Sequence, residues 1–193
     1  KYGIQLDKKI ILCIGRLHPR KGFQYVIAAM PRILREEPNA VLVIIGDGPY
    51  RRVLEALAKK LGVERNVIFT GYVDEQTKKE ALKDANLVVV PSLIEPFGLV
   101  ALEAILAKQL VLVSNVDGLR EIIEPYNELL VNPRNIRDLA DKILLFIRNH
   151  RLRDSKALDL SCISHRFAWN EVIQRYIRAY CSVISDDMRK GYN

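Results

Sequence analysis

The sequence lacks several features that would point to particular classes of protein. Its 193 residues contain no apolar run close to the ~20 residues that a membrane-spanning helix needs. The first residues, KYGIQLDKK, lack the apolar core of a secretory signal peptide. Aromatic residues make up only 7% of the chain and are not interleaved with the basic ones, which argues against a nucleic-acid partner. We therefore expect a globular protein that does not span a membrane.

Cysteine is also scarce. The three cysteines, Cys13, Cys162 and Cys181, are odd in number and lack the spacing of a metal site. Cys13 lies inside an apolar run that is typical of a buried strand. We expect reduced thiols in a cytoplasmic protein, with neither a disulfide framework nor a metal or other cofactor.

The formal net charge of +7 makes anions attractive partners. A phosphorylated small ligand is one such partner. An anionic membrane surface is another, so peripheral attachment to a membrane is a secondary prediction. With 49% hydrophobic residues, the chain is long enough to form one domain with a substantial core.

Short apolar runs alternate with longer helical patterns along the chain. The runs predict strands at 9–15, 40–46, 66–71, 86–92, 110–115 and 128–132. Helices are predicted after every run except the fifth, including 97–107 and 136–149, and only helical patterns follow residue 149. This order predicts an α/β, Rossmann-like doubly wound parallel sheet of about six strands, with helices on both faces and a helical extension over 150–193.

In such a sheet, ligands bind beyond the carboxyl ends of the strands. The first predicted strand is followed by GRLHPRKG, which carries Arg16 and Lys21 after Gly15. A guanidinium fork and a mobile ammonium group suit a diphosphate, although the spacing is not that of a P-loop. A solvated basic turn is the alternative, and we expect His18 and Arg20 to be solvated in either case.

The fourth predicted strand is followed by PSLIEPFGLVALEA, which places Glu95 before a helix and Glu103 inside it. A helix start offers unpaired N–H groups to anions. Vicinal hydroxyl groups of a sugar are natural donors to a carboxylate, so the two acids are candidates to hold two sugars with phosphate between them. The alternative to sugar binding is that Glu95 only complements the helix dipole and that Glu103 is an ordinary surface glutamate. The candidate phosphate-binding amides are those of Phe97, Gly98, Leu99 and Val100.

Four motifs in this order, GRLHPRKG, VIIGDGP, VIFTGYV and PSLIEPFGLVALEA, resemble one known family. It comprises the retaining glycosyltransferases of family 4, which have the GT-B fold and use nucleotide-sugar donors. The resemblance is to their C-terminal, donor-binding domain and runs from about Lys9 to Asn149. It resumes at RFAWNEVIQRYIRAY, which is similar to the family's terminal helix.

The resemblance implies a role for each site residue. Arg16 and Lys21 would hold the donor diphosphate and stabilise the leaving nucleotide. Glu95 would contact hydroxyls of the transferred sugar, and Glu103 would bind the ribose. Further donor-binding positions implied by the family are Gly15, Val73, Lys78, Phe97, Gly98, Leu99 and Val100, with Val73 and Lys78 beside the base. No metal is implied.

Three short segments depart from the family pattern. AKQL at 107–110 places Lys108 and Leu110 where glycine and proline are usual. Asp117-Gly118 replaces a Gly-Gly pair in a loop that approaches the donor sugar, and Glu128 stands where a glycine normally turns. The first and third departures mostly concern turn geometry, whereas the second lies in the loop that approaches the donor sugar.

These altered loops leave two alternatives to a transferase. One is a nucleotide-binding module that has lost transfer activity. A GT-B-type nucleotide-sugar epimerase is another, although the acids and histidines that it requires are not evident.

A complete GT-B enzyme has two such domains with the active site between them. We therefore expect that residues 1–193 are the nucleotide-sugar-binding C-terminal domain and that an N-terminal acceptor domain is absent from this chain. Alone, this domain would bind donor weakly and transfer little. The terminal helix, with Phe167, Trp169 and Tyr176, would either expose an apolar face and drive self-association or pack against its own sheet.

Overall fold

The structure, a computed structural model, describes residues 7–190, without the side chains of residues 117 and 185–190. Its strands are β1 (Lys9–Ile14), β2 (Ala40–Ile45), β3 (Val67–Gly71), β4 (Leu87–Val90), β5 (Val111–Ser114) and β6 (Leu130–Val131). Its α-helices are α1 (Phe23–Glu36), α2 (Arg51–Lys60), α3 (Glu75–Asp84), α4 (Leu99–Leu106), α5 (Asp117–Ile123), α6 (Ile136–Arg148), α7 (His150–Ile163) and α8 (Trp169–Lys190).

All six strands are parallel and lie in the order β3-β2-β1-β4-β5-β6. Every residue of β2, β4 and β5 is buried, because helices cover both faces of the sheet. Helix α1 packs against α2 and α6, and α4 packs against α5 and α7. Burial on both faces explains why these strands are continuous apolar runs rather than alternating ones. The predicted Rossmann-like α/β fold is confirmed.

The strand order reverses between β1 and β4, so the loops after these two strands lie side by side at the carboxyl edge of the sheet. The N–H of Leu93 donates to the carbonyl of Arg20 at 2.7 Å and joins the two loops. Gly22, at φ +74°, packs so closely on the second loop that a Cβ there would lie 1.8 Å from the carbonyl oxygen of Pro91. Only glycine fits this contact.

Three element boundaries differ from the prediction. Helix α4 begins at Leu99 rather than Phe97, because Gly98 has φ +95° and cannot belong to a right-handed helix. Strand β6 shortens to Leu130–Val131, since residues 127–129 form a 3₁₀ turn. Helix α5 was not predicted: it has seven residues, and its second residue is glycine, so the local signal was weak.

The two terminal helices behave differently. Helix α7 buries Ala157, Leu160 and Ile163 against the domain. Helix α8 leaves its apolar face exposed, which contradicts packing of that face against its own sheet, and self-association through it stays a prediction. Among the residues that the structure describes, no helix is long and apolar enough to cross a membrane. The exposed apolar residues of α8 are Trp169, Ile173, Tyr176, Ile177, Tyr180, Val183 and Ile184.

Two residues that depart from the family pattern, Lys108 and Glu128, make local contacts that account for their presence. Lys108 adopts φ +59° at the end of α4, where its N–H bonds the carbonyl of Ile105 at 2.9 Å. Glu128 accepts from the Lys156 ammonium group on α7, with Nζ and Oε1 2.8 Å apart. This hydrogen bond lowers the pKa of Glu128. The expectation that these two positions concern turn geometry agrees with their placement.

We expect Gly22→Ala to destabilise the domain by roughly 2–4 kcal/mol. The new methyl group would overlap the carbonyl of Pro91, and the alanine would have to adopt a strained φ of +74°. Urea denaturation followed by circular dichroism measures the change. Gly62→Ala is the matched control: Gly62 also has a left-handed φ, +68°, but nothing lies within 4 Å of its Cβ position. The control should cost about 1 kcal/mol. Equal losses would contradict the tight contact between the loops.

We expect Glu128→Gln to lower the melting temperature at neutral pH, since the ionised carboxylate is stabilised by Lys156 in the folded state. A folded-state pKa below the ordinary value contributes stability above the ordinary titration range. That contribution disappears as the pH falls through the lowered pKa, so the two melting temperatures should converge in acid. Glu121→Gln removes an exposed charge nearby and is the control. A difference that persists in acid would contradict this account.

Candidate functional site

One acid of the predicted pair lies where the loops after β1 and β4 meet. The Nζ of Lys21 is 2.6 Å from Oε2 of Glu95, and both side chains are largely buried, at 23% and 13% exposed. The hydroxyl of Ser92 donates to the same oxygen at 3.0 Å. Ser92 is 1% exposed, so this bond satisfies a buried polar group and fixes the carboxylate. The site therefore brings together Lys21 and Glu95, as a shared crevice requires.

Ser92 was missed in the sequence. A serine after the strand-ending Pro91 reads as an ordinary turn residue, and only the fold shows that its hydroxyl faces Glu95. The available signal was its spacing, three residues before the acid on the same loop.

The second acid is paired as well, but from a different element. The Nζ of Lys78 on α3 lies 2.9 Å from Oε1 of Glu103 on α4, and 3.0 Å from Oε1 of Glu75. Burial alone would lower the pKa of Lys78, but the hydrogen bonds and charges of Glu103 and Glu75 raise it. Lys78 is thus held as a cation. Together with Leu82 and Leu106 these groups line a cleft of about 290 Å³ between the two helices.

The start of α4 presents unused backbone donors. Within the described part of the chain, no hydrogen bond is formed by the amide N–H groups of Phe97, Gly98, Leu99 and Val100. A Cβ on Gly98 would lie 2.6 Å from Cδ2 of Leu119, so α5 packs directly behind this turn. The Phe97 ring meets Phe167 edge to face, with centroids 6.4 Å apart. Although Phe97 precedes the helix rather than belonging to it, its amide remains in the same group of free donors.

The remaining predicted residues lie on the neighbouring strand ends. Arg16 follows Gly15 at the end of β1; its side chain is exposed and makes no ion pair or hydrogen bond with any residue that the structure describes. Gly15 is held against β2, because its N–H donates to the carbonyl of Ile45 at 2.9 Å. Val73 is half-buried after β3, one residue before the N-cap of α3.

The loop after β5 approaches the first acid. A Cβ on Gly118 would lie 2.3 Å from the carbonyl oxygen of Pro96, so glycine allows α5 to contact the turn that follows Glu95. Asp117, the other half of this altered pair, has a side chain outside the described residues. The described residues also contain no group of three or more histidine, cysteine or acidic side chains that could hold a metal ion.

The site therefore combines two kinds of group. Cations and free amides suit an anion such as a phosphate. Oriented carboxylates suit hydroxyl groups. Two lysine–glutamate pairs, Lys21–Glu95 and Lys78–Glu103, occupy the loops and helices around β1, β3 and β4. This arrangement can hold a ligand that carries both phosphate and sugar hydroxyls.

Comparison with known proteins gives the family. The profile of the family described as glycosyl transferases group 1 matches residues 1–157. An uncharacterized glycosyltransferase of Methanocaldococcus jannaschii is 40% identical over 188 residues, which cover 92% of this chain and 46% of that protein. The chain thus spans about half the length of this relative.

Two solved structures share the fold. Sucrose-phosphate synthase from Thermosynechococcus elongatus matches with a TM-score of 0.82 and 29% identity, covering 94% of this chain and 47% of that one. Anabaena HepE, in complex with UDP and glucose, matches with a TM-score of 0.81 and 25% identity, covering 91% and 49%. On the family match, the strand order and these neighbours, the chain belongs to the group 1 glycosyl transferases and has the fold of the C-terminal domain of a GT-B glycosyltransferase.

Proposed function

We propose that this domain binds a nucleotide diphosphate sugar, and that the full-length protein transfers the glycosyl group to an acceptor with retention of anomeric configuration. The observation that carries the proposal is the contact of Lys21 with Glu95 at 2.6 Å, on a loop whose next residues, 97–100, have amides that form no hydrogen bond within the described part of the chain. A phosphate-binding group and a hydroxyl-binding group meet there at the switch point of the sheet. The neighbour HepE is described in complex with UDP and glucose, which supports a ligand of this class.

In this proposal the diphosphate lies between the exposed guanidinium of Arg16, the ammonium of Lys21 and the amides of residues 97–100. Negative charge grows on the diphosphate as the glycosidic bond breaks, and preorganised donors stabilise it. Lys21 lies against Glu95 before the ligand binds. In the complex, the ammonium of Lys21 contacts phosphate, and the carboxylate of Glu95 accepts hydrogen bonds from the transferred sugar. Ser92 keeps Glu95 oriented during this exchange of partners.

The nucleoside would extend from the diphosphate toward β3. Glu103, 36% exposed on α4, accepts hydrogen bonds from the ribose hydroxyls in this proposal. Val73 and Lys78 border the base, and Gly15 allows the backbone of the first loop to approach the ligand. Both acids of the PSLIEPFGLVALEA segment are thereby assigned to sugars.

The transfer step requires more than this chain. Because the chain spans about half the length of the relatives it matches, we propose that a preceding domain supplies the acceptor site and that this domain alone binds donor without transferring it. The exposed apolar face of α8 is the surface that the preceding domain would cover. Self-association through the same face, cytoplasmic localisation and attachment to an anionic membrane stay predictions.

The alternatives have less support in the site. Among the departures that prompted the idea of an inactive binding module, Lys108 ends a helix, Glu128 forms an ion pair, and Gly118 allows α5 to contact the turn after Glu95. The side chain of Asp117, the other residue of the altered pair, lies outside the described residues. A nucleotide-sugar epimerase would need a histidine near the sugar, whereas His18 is exposed and accepts a hydrogen bond from the N–H of Arg20 at 3.3 Å.

Isothermal titration calorimetry with UDP, GDP and ADP tests the proposal. The wild-type chain should bind one of these nucleotides, and Arg16→Ala or Glu103→Ala should weaken that binding about 10- to 100-fold, as expected for a lost charge-assisted hydrogen bond of about 1.5–3 kcal/mol. Arg65→Ala removes an exposed cation from the turn before β3, at the amino end of that strand rather than at its carboxyl end, and should leave the affinity unchanged. Binding that neither site variant alters would rule out this site.

A further inference from the structure

Lys78 connects the two helices beside the proposed nucleoside position. It lies on α3, and its ammonium group bonds Glu103 on α4 at 2.9 Å and Glu75 on its own helix at 3.0 Å. Its side chain is only 17% exposed, although it carries a charge. Lys78 bonds Oε1 of Glu75 and Oε1 of Glu103. The other oxygen of Glu103, Oε2, has no hydrogen-bond partner within the described residues.

This geometry constrains what Lys78 does when a nucleotide binds. To reach a phosphate, the ammonium would have to leave two carboxylates, one of them partly buried, and that exchange is costly. By staying in place, it fixes the plane of the Glu103 carboxylate and leaves Oε2 free. It also offsets the negative charge of Glu103, which would otherwise repel a nearby diphosphate.

A fixed carboxylate is what recognition of a ribose requires. Its two oxygens can accept hydrogen bonds from the 2′ and 3′ hydroxyls only when the carboxylate plane faces them. A carboxylate that rotates freely loses part of this advantage, because ordering it on binding costs conformational entropy. Partners that orient a ligand-binding group in this way contribute to affinity without touching the ligand.

We propose that Lys78 is a positioning residue that acts through Glu103, and that the Lys78–Glu103 pair makes the site selective for ribonucleoside over 2′-deoxyribonucleoside diphosphates. This rests on the proposed function, since it requires that Glu103 binds the ribose. It differs from a direct contact of Lys78 with base or phosphate, which would favour both kinds of nucleotide equally.

The test compares two affinities of the same chain. The best-binding nucleotide among UDP, GDP and ADP is titrated alongside its 2′-deoxy analogue. The wild type should prefer the ribonucleotide by at least about tenfold, since a hydrogen bond to a charged group is worth about 1.5–3 kcal/mol. Lys78→Met should reduce this preference to about threefold or less, chiefly by weakening the ribonucleotide. Lys78→Arg, which retains a cation, should keep most of it.

Matched controls separate positioning from general charge effects. Lys60→Met removes the same charge from an exposed position at the end of α2, outside this cleft, and should leave the preference unchanged. Glu103→Ala should abolish the preference, and the double variant with Lys78→Met should lose no more than Glu103→Ala alone, because the two residues act as a unit. Melting temperatures verify that each variant folds, and Lys78→Gln replaces the methionine variant if that one does not.

The outcomes distinguish this inference from the proposed function. A ribose preference that Lys78→Met leaves unchanged, with both nucleotides weakened equally, would overturn the positioning role, because a general charge effect or a direct contact with base or phosphate would then explain the loss. A further loss in the double variant would do the same. If Glu103→Ala leaves the ribose preference intact, or the wild type binds no nucleotide, the proposed function itself is contradicted.

Discussion

The contact between the loops after β1 and β4 determines the rest of the site. Gly22 lies against Pro91 with no room for a side chain, and the carbonyl of Arg20 accepts from Leu93. These two backbone contacts place Lys21 over Glu95. The parallel sheet brings the two loops to one edge, and the close contact of Gly22 with the Pro91 carbonyl holds them together there.

Charge is balanced locally around the crevice. The chain has a net charge of +7, yet each of the two acids in the PSLIEPFGLVALEA segment has a lysine within 3 Å. An unpaired, partly buried carboxylate would be costly in the empty domain and would repel a phosphate. Pairing removes both costs. Arg16, which is exposed and has no described partner, then supplies positive charge that is not already neutralised.

The sequence predicted the strands because burial on both faces leaves a simple pattern of continuous apolar runs. It also placed Lys21 and Glu95 in one crevice, since both follow strands that a doubly wound sheet brings together. It did not predict that Lys78 meets Glu103, because contacts between side chains 25 positions apart depend on how α3 and α4 lie on the sheet. The helix start was misplaced by two residues because glycine can adopt both helical and left-handed backbone angles, and the local sequence does not distinguish between them.

The left-handed turn at Gly98 has a consequence for how such a site could diverge. Its amides form no hydrogen bond within the described residues, and the aliphatic side chains of Leu119 and Ile122 on α5 pack where a Cβ on Gly98 would lie. The position of these polar donors therefore depends partly on the packing of aliphatic residues that lie outside the proposed binding site. We expect that replacing Leu119 or Ile122 with a bulkier or smaller residue would move the amides at the start of α4, although every proposed ligand-contacting residue stayed the same. Selectivity among related proteins can thus change through positions that a comparison of binding residues would overlook.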